Sequence, residues 1–362
     1  MEKGLKVLHI VGHLGNGGDT TAILNVLDYI ENNGLNCTFE FLTHKGANND
    51  VIKRLKEKGI NTIVLNGDAV SAGPLKYYKE LIKILNCNKY NAIHLHTSFQ
   101  SFVGLYAAKR AKIKIRVCHS HTTNVQRKIS LLKKIFYLPI CRFLINCFAT
   151  HKVSCSIQAG KFLFGKKAKF NIIYNGLNID KIQKIDKNKT DKIIETYNLN
   201  NKIIIGQVGN FNENKNQIFT LELAKELEQN RYTFFLLGDG PTYNTIEDKI
   251  RKEKINNIVL TGRINDVNNY MSLFDYLLLP TKYGEGLPVT LIEEQIINKR
   301  CECIASEIVT DEANLGNVKY LKLDKKKWID KIKNKKIGKI KDIQKFDINK
   351  TAKEWLMLYE KK

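Results

Sequence analysis

Short apolar runs alternate with helix-like segments from the first residues, and midway the same alternation begins again. A short apolar run is the mark of a strand buried on both faces, and strands joined through helices must run parallel. In the first half, strands are expected at Lys6–Val11, Cys37–Thr43, Thr62–Leu65, Ala92–Leu95 and Ile113–Cys118, with helices such as Thr20–Asn32 and Pro74–Leu85 between them. The second series starts at Lys202–Val208 and continues through Thr233–Leu237, Ile258–Leu260 and Tyr276–Leu279. The expected fold is therefore α/β, with two doubly wound parallel-sheet domains in series. At 362 residues the chain exceeds a single average core, which agrees with two. The polar stretch Asn178–Lys202 marks the junction, giving an N-terminal domain at 1–180 and a C-terminal domain at 181–340. A last helix, around Lys350–Tyr359 within 341–362, carries Trp355, Leu356 and Leu358 and is expected to pack on a domain.

An apolar content of 43% with only 5 prolines excludes a disordered chain. The net charge of +23 fits nucleic acid, an anionic membrane surface or an acidic substrate, or a composition rich in Lys, Asn and Ile. No basic stripe interleaved with aromatics and no zinc-finger spacing appears, so nucleic acid is not an expected partner. None of the 8 cysteines forms a Cys-x-x-Cys pair, so buried reduced thiols are expected. The chain enters an expected strand within ten residues, so no secretory signal is expected. No apolar stretch approaches the ~20 residues of a membrane span. The expected location is cytoplasmic.

Ligands of open parallel sheets bind beyond the carboxyl ends of the strands, so the loops there carry the chemistry. The most informative is Tyr283–Gln295, which follows the expected strand ending at Leu279 and leads into a helix beginning near Leu287-Pro288. It sets Glu285 on the loop and Glu293 in the helix. The N–H groups of Gly286 and Leu287 would then lie at the positive end of that helix, where a phosphate can be held without a metal. Solvated surface glutamates are the plainer reading of the two acids. Further glycine-bearing loops are Gly12–Gly18, Gly209–Asn216, Leu236–Pro241 and Leu260–Arg263. Spacing and the lack of an acid ending the second strand set the first apart from a dinucleotide-binding loop.

Two neighbouring strand ends read His94-Leu-His96 and His119-Ser-His121. A zinc site is the sharper alternative for these four, but no carboxylate or thiolate partner stands at ligand spacing, so no metal is expected. For His94 and His119, polar residues simply ending strands is the competing reading. The segment Ile129–Phe148 mixes aromatic and aliphatic residues with Lys133, Lys134 and Arg142. It fits either a core helix pair or a basic apolar surface docking on anionic lipid.

Pro280-Thr-x-x-Gly-Glu-Gly-Leu-Pro288 with its Glu-x7-Glu resembles the donor-site signature of the retaining glycosyltransferases of family 4, which have the two-domain GT-B fold. The resemblance runs in order along nearly the whole chain, from the glycine pair through His-Ser-His to this segment, and is similar to bacterial enzymes that build capsular or exopolysaccharide units on a lipid carrier. It implies two domains facing a cleft, with the last helix crossing back to the first. It implies a nucleotide-sugar donor, UDP-linked in expectation, a glycan or polyprenyl-diphosphate-linked acceptor, no metal or other cofactor, and peripheral membrane contact. By resemblance Glu293 holds the ribose hydroxyls and Glu285 the transferred sugar, while Lys215 with the Gly286 and Leu287 amides stabilises the leaving diphosphate. Gly17 and Gly18 border the donor, as do Gly238 and Arg263, and Gly17, His96, His119 and His121 surround the acceptor. Catalysis is assigned to Glu285, His121 and Lys215. Gly209-Asn-Phe matches a phrase whose second residue is arginine, so Asn210 removes one cation from the donor site. Either Lys215 and the helix terminus suffice, or Arg263 compensates, or activity is weak. Asp19-Thr20 stands where the family often has Ala-Glu, and Asn178 where it has aspartate. A nucleotide-sugar 2-epimerase of the same fold and a non-catalytic basic binding protein are the alternatives.

Overall fold

The computed structural model describes residues 4–15, 17–44, 48–124 and 133–360, with the side chains of Asp19, Lys133 and Lys134 outside that description. The chain divides into two compact units, Met1–Gly176 with Phe346–Lys362, and Leu177–Lys345.

Unit 1 holds β1 (Leu5–Ile10), β2 (Cys37–His44), β3 (Thr62–Leu65), β4 (Ala92–Leu95), β5 (Ile115–Ser120), β6 (His151–Ser154) and β7 (Asn171–Ile172). They form one parallel sheet in the order β3-β2-β1-β4-β5-β6-β7. The strand order reverses between β1 and β4, which is where an open sheet of this kind leaves a crevice at its carboxyl edge. Side chains alternate between faces. Val7 and Val11 join one apolar cluster with Trp355, Leu358 and Tyr359 of the helix Ile348–Tyr359, while Leu8 and Ile10 join another on the opposite face. The terminal helix is thus a layer of unit 1. Its Thr351 hydroxyl donates to the Tyr174 carbonyl, and a Cβ at Gly176 would collide with Ile348 and Thr351 at 2.8 Å. Glycine at 176 is required there by space.

Unit 2 holds β8 (Ile203–Val208), β9 (Tyr232–Leu237), β10 (Ile258–Gly262), β11 (Tyr276–Leu279), β12 (Glu302–Ser306) and β13 (Val318–Leu321), parallel in the order β10-β9-β8-β11-β12-β13. Its reversal lies between β8 and β11. The polar stretch after Asn178 folds as part of this unit: Asn178 caps the helix Ile179–Ile182, and Asn268 donates to the Ile182 carbonyl. The eight cysteines are all free, with Cys118, Cys141, Cys155, Cys301 and Cys303 buried. Among the described residues, no helix is long and apolar enough to cross a membrane.

Candidate active site

In unit 2 the loop after β8 is tied to the loop after β11. The Asn214 carboxamide oxygen accepts from Thr281 Oγ1 at 2.9 Å and from the Tyr283 N–H at 2.8 Å, and its nitrogen donates to the Gly284 carbonyl. Asn216, in the left-handed region at φ 55°, donates to the Pro280 carbonyl. Gln207 donates to the Lys215 carbonyl and accepts from Thr220, fixing the loop to its own strand and the next helix. The result of this stitching is one close pair. Lys215 Nζ lies 2.6 Å from Glu285 Oε1, with the two side chains 18% and 12% exposed.

Pro288 caps the helix Val289–Ile297, so Gly286 and Leu287 precede its first turn instead of lying within it. Proline has no N–H to leave orphaned at that position. Glu293 sits just over a turn into this helix and is half-buried, and burial pushes its carboxyl up to about 7. The adjacent Glu294 is fully buried beside the Cys301 thiol, and burial holds its carboxyl well above the ordinary range. Sequence reading singled out Glu293 and passed over Glu294, because a period of 3.6 does not say how deep each flank of a helix lies.

The glycines of the neighbouring loops allow close packing. A Cβ at Gly238, whose φ is 135°, would lie 2.0 Å from the Gly209 carbonyl oxygen, and one at Gly209 would meet the Lys215 side chain at 3.3 Å. Asn210 is exposed and its side chain lies against Gly240. Arg263 is exposed just past the end of β10. The structure therefore brings Lys215, Glu285, Gly209 and Gly238 together, and leaves Arg263 and Asn210 on the surface at neighbouring strand ends.

In unit 1, Gly17 is the N-cap of the helix Gly18–Asn32, with φ −76° and ψ 158°, and both glycines are exposed. The four histidines expected at strand ends form one cluster with a fifth, His9 of β1. Register explains it: His9 pairs with His94, and His94 with Val117, so His9, His94, His96, His119 and His121 all face the side covered by Trp355. His96 Nδ1 lies 2.8 Å from His121 Nε2, His96 Nε2 lies 3.1 Å from His9 Nδ1, and His94 Nε2 lies 3.1 Å from His119 Nδ1. His94 Nδ1 reaches the Tyr359 hydroxyl at 2.6 Å. Burial lowers His9 to about 3, and it also holds His94, His96 and His119 well below 6.5, so these rings are neutral. His9 was missed from sequence; its signal was a histidine on a central strand facing the same side as the two His-x-His pairs.

Arg142 departs from the lipid-facing expectation. Its guanidinium donates to the Phe162 carbonyl at 2.8 Å and lies over the Phe99 ring, so it serves the interior. Cys141 and Ile145 of the same helix, Leu138–Phe148, are buried, while Phe136, Ile140 and Phe143 are exposed at helical spacing. The Lys133 and Lys134 side chains fall outside the described residues.

Two doubly wound parallel-sheet units in series have the GT-B architecture, and in the second a lysine and an acid meet ahead of a helix start at the strand-order reversal. Residues 189–328 match the family model for glycosyl transferases group 1, and the chain carries that domain. It is 29% identical over 332 residues to "Putative glycosyltransferase EpsF" of Bacillus subtilis (strain 168), covering 88% of this chain and 84% of that protein. It is 25% identical over 248 residues to an Escherichia coli protein named UDP-Gal:alpha-D-GlcNAc-diphosphoundecaprenol alpha-1,3-galactosyltransferase, covering 65% of this chain and 62% of that one. The crystal structure of Anabaena Alr3699/HepE in complex with UDP has the same fold, with a TM-score of 0.78 and 17% identity over 98% of this chain and 99% of that one.

Proposed function

We propose that the enzyme is a retaining transferase of family 4 type that moves a sugar from a nucleotide-sugar, UDP-linked, to a lipid-linked glycan in bacterial surface polysaccharide synthesis. The observation that carries the donor site is the Lys215–Glu285 pair at 2.6 Å, placed on the loops of β8 and β11 ahead of a helix N-terminus. In the donor-bound enzyme Lys215 turns from Glu285 to the diphosphate, the Gly286 and Leu287 amides add neutral donors, and Glu285 is released to accept from sugar hydroxyls. Charge that grows on the leaving oxygen meets a cation already in place, which is how fixed electrostatics lowers a barrier. With these groups the leaving diphosphate requires no divalent ion. Glu293 accepts from the ribose hydroxyls. Gly238 lets the backbone come close to the nucleotide, and Arg263 or Asn210 borders it.

The acceptor belongs to unit 1, at the Gly17–Gly18 turn and the exposed side of His96 and His121, with His119 behind them. His121 would orient the acceptor hydroxyl for attack on the face the diphosphate leaves, which keeps the anomeric configuration. UDP-bound and lipid-linked chemistry in the names of similar proteins supports the choice of donor and acceptor. The transferase domain and transferase-named relatives favour transfer over epimerisation. Free cysteines fit a cytoplasmic site, and exposed Phe136, Ile140 and Phe143 fit peripheral contact with the membrane that carries such an acceptor.

Incubation of radiolabelled UDP-sugars with polyprenyl-diphosphate-linked acceptor, with Mg2+ or Mn2+ added or withheld, tests this reading. Labelled lipid product of retained anomeric configuration, formed at equal rates with and without the ion, is expected. An inverted product, or epimerised donor formed without acceptor, would overturn it.

A further inference from the structure

We infer that His96, His119 and His121 form a three-histidine site for a borderline divalent transition ion, zinc before others, with an oxygen ligand from water or substrate in the fourth position. The same three rings border the acceptor in the transfer reading, and an ion there would meet the acceptor hydroxyl as its oxygen ligand in place of a direct contact from His121, while the donor chemistry lies on the other unit. Each of the three rings offers one nitrogen, and these atoms lie within 4.8 Å of one another. His119 is 2% exposed, and its Nε2 has no hydrogen-bond partner among the described residues. A buried imidazole nitrogen without a partner is costly unless something fills its lone pair.

The remaining geometry fits a ligand set. Zinc bound by imidazole at about 2.0–2.1 Å in a tetrahedron sets its nitrogens roughly 3.3 Å apart. His96 Nδ1 and His121 Nε2, now 2.8 Å apart, need to open by only about half an ångström to admit it. Each ring then keeps its N–H on the nitrogen facing away. His96 donates through Nε2 to His9 Nδ1, and His119 through Nδ1 to His94 Nε2, whose own Nδ1 faces the Tyr359 hydroxyl. Such backing fixes the tautomer and orientation of a metal-binding imidazole. His9 and His94 are fully buried, so the alternative group of His9, His94 and His96 would close an ion off from water. His96 and His121 are half-buried and leave a way in. Three imidazoles without carboxylate or thiolate select zinc, cobalt, nickel or copper over magnesium and calcium.

The test uses the full chain made without a polyhistidine tag, stripped with chelator and titrated with Co2+ and Zn2+. About one ion per chain is expected, with the intense visible bands of four- or five-coordinate Co2+ that Zn2+ then bleaches. His121→Ala, at a half-buried position that tolerates truncation, should weaken binding at least a hundredfold, and His9→Gln, which only positions His96, about tenfold. His44→Gln and His151→Gln, elsewhere in unit 1, should bind as the parent does. No cobalt spectrum at stoichiometric ion, or a spectrum unchanged by His121→Ala while His151→Gln removes it, would overturn the site. Nucleotide titration of the same stripped samples keeps the two readings apart, since intact donor binding without an ion site sinks only this one.

Discussion

Lys215 and Glu285 neutralise each other in the donor-free protein, and that sets what each substitution does. Lys215→Ala removes the cation that meets the leaving group and should lower kcat by about a hundredfold to a thousandfold. It also leaves Glu285, only 12% exposed, without its partner, which should cost on the order of 1–3 kcal/mol of stability in a denaturation experiment. Glu285→Gln should lose activity with less loss of stability, since an amide tolerates burial better than a lone charge. Glu293 makes a separate prediction. Its folded carboxyl titrates near 7, above the unfolded value of 4.5, so its contribution to stability is complete below pH 4.5 and is lost as pH rises through 7. Glu293→Gln should therefore raise Tm relative to the parent at pH 8 and give little difference at pH 4. Equal Tm differences at both pH values would show that the carboxyl is not perturbed.

The loops are held as elements through Asn214, whose side chain joins the segment after β8 to the one after β11. Asn214→Ala should cost about 1–3 kcal/mol and raise KM for the donor more than it lowers kcat, because it loosens placement without touching charge. On the other unit, Trp355 fills the space between the terminal helix and His9, so Trp355→Ala should destabilise by about 3–5 kcal/mol. Strands such as Thr62–Leu65, Ala92–Leu95 and Tyr276–Leu279 were legible from sequence to the residue, because a buried strand bounded by turns is a strong local signal. His151–Ser154, Asn171–Ile172 and Val318–Leu321 were not, being short edge-side runs with polar residues that pairing alone makes into strands. Within the site, Glu285, Glu293 and Lys215 were legible as residues, but their arrangement was not. The direct Lys215–Glu285 contact spans 70 positions, and no local pattern encodes it. The same holds for His9, which joins the histidine cluster only through strand order.

At the scale of the whole molecule, two units of similar plan carry unlike chemistry at equivalent places. The reversal between β1 and β4 gathers neutral imidazoles, and that between β8 and β11 gathers a cation, two acids and a helix terminus. A ligand that prefers the folded unit 2 must raise the stability of the chain by mass action. The most direct measurement is calorimetric titration of UDP-sugar into the parent, Lys215→Ala and Glu293→Ala proteins. The account predicts saturable binding to the parent, weakened about tenfold or more in each variant. Equal affinity in all three proteins, or no binding to the folded parent at millimolar donor, would contradict it.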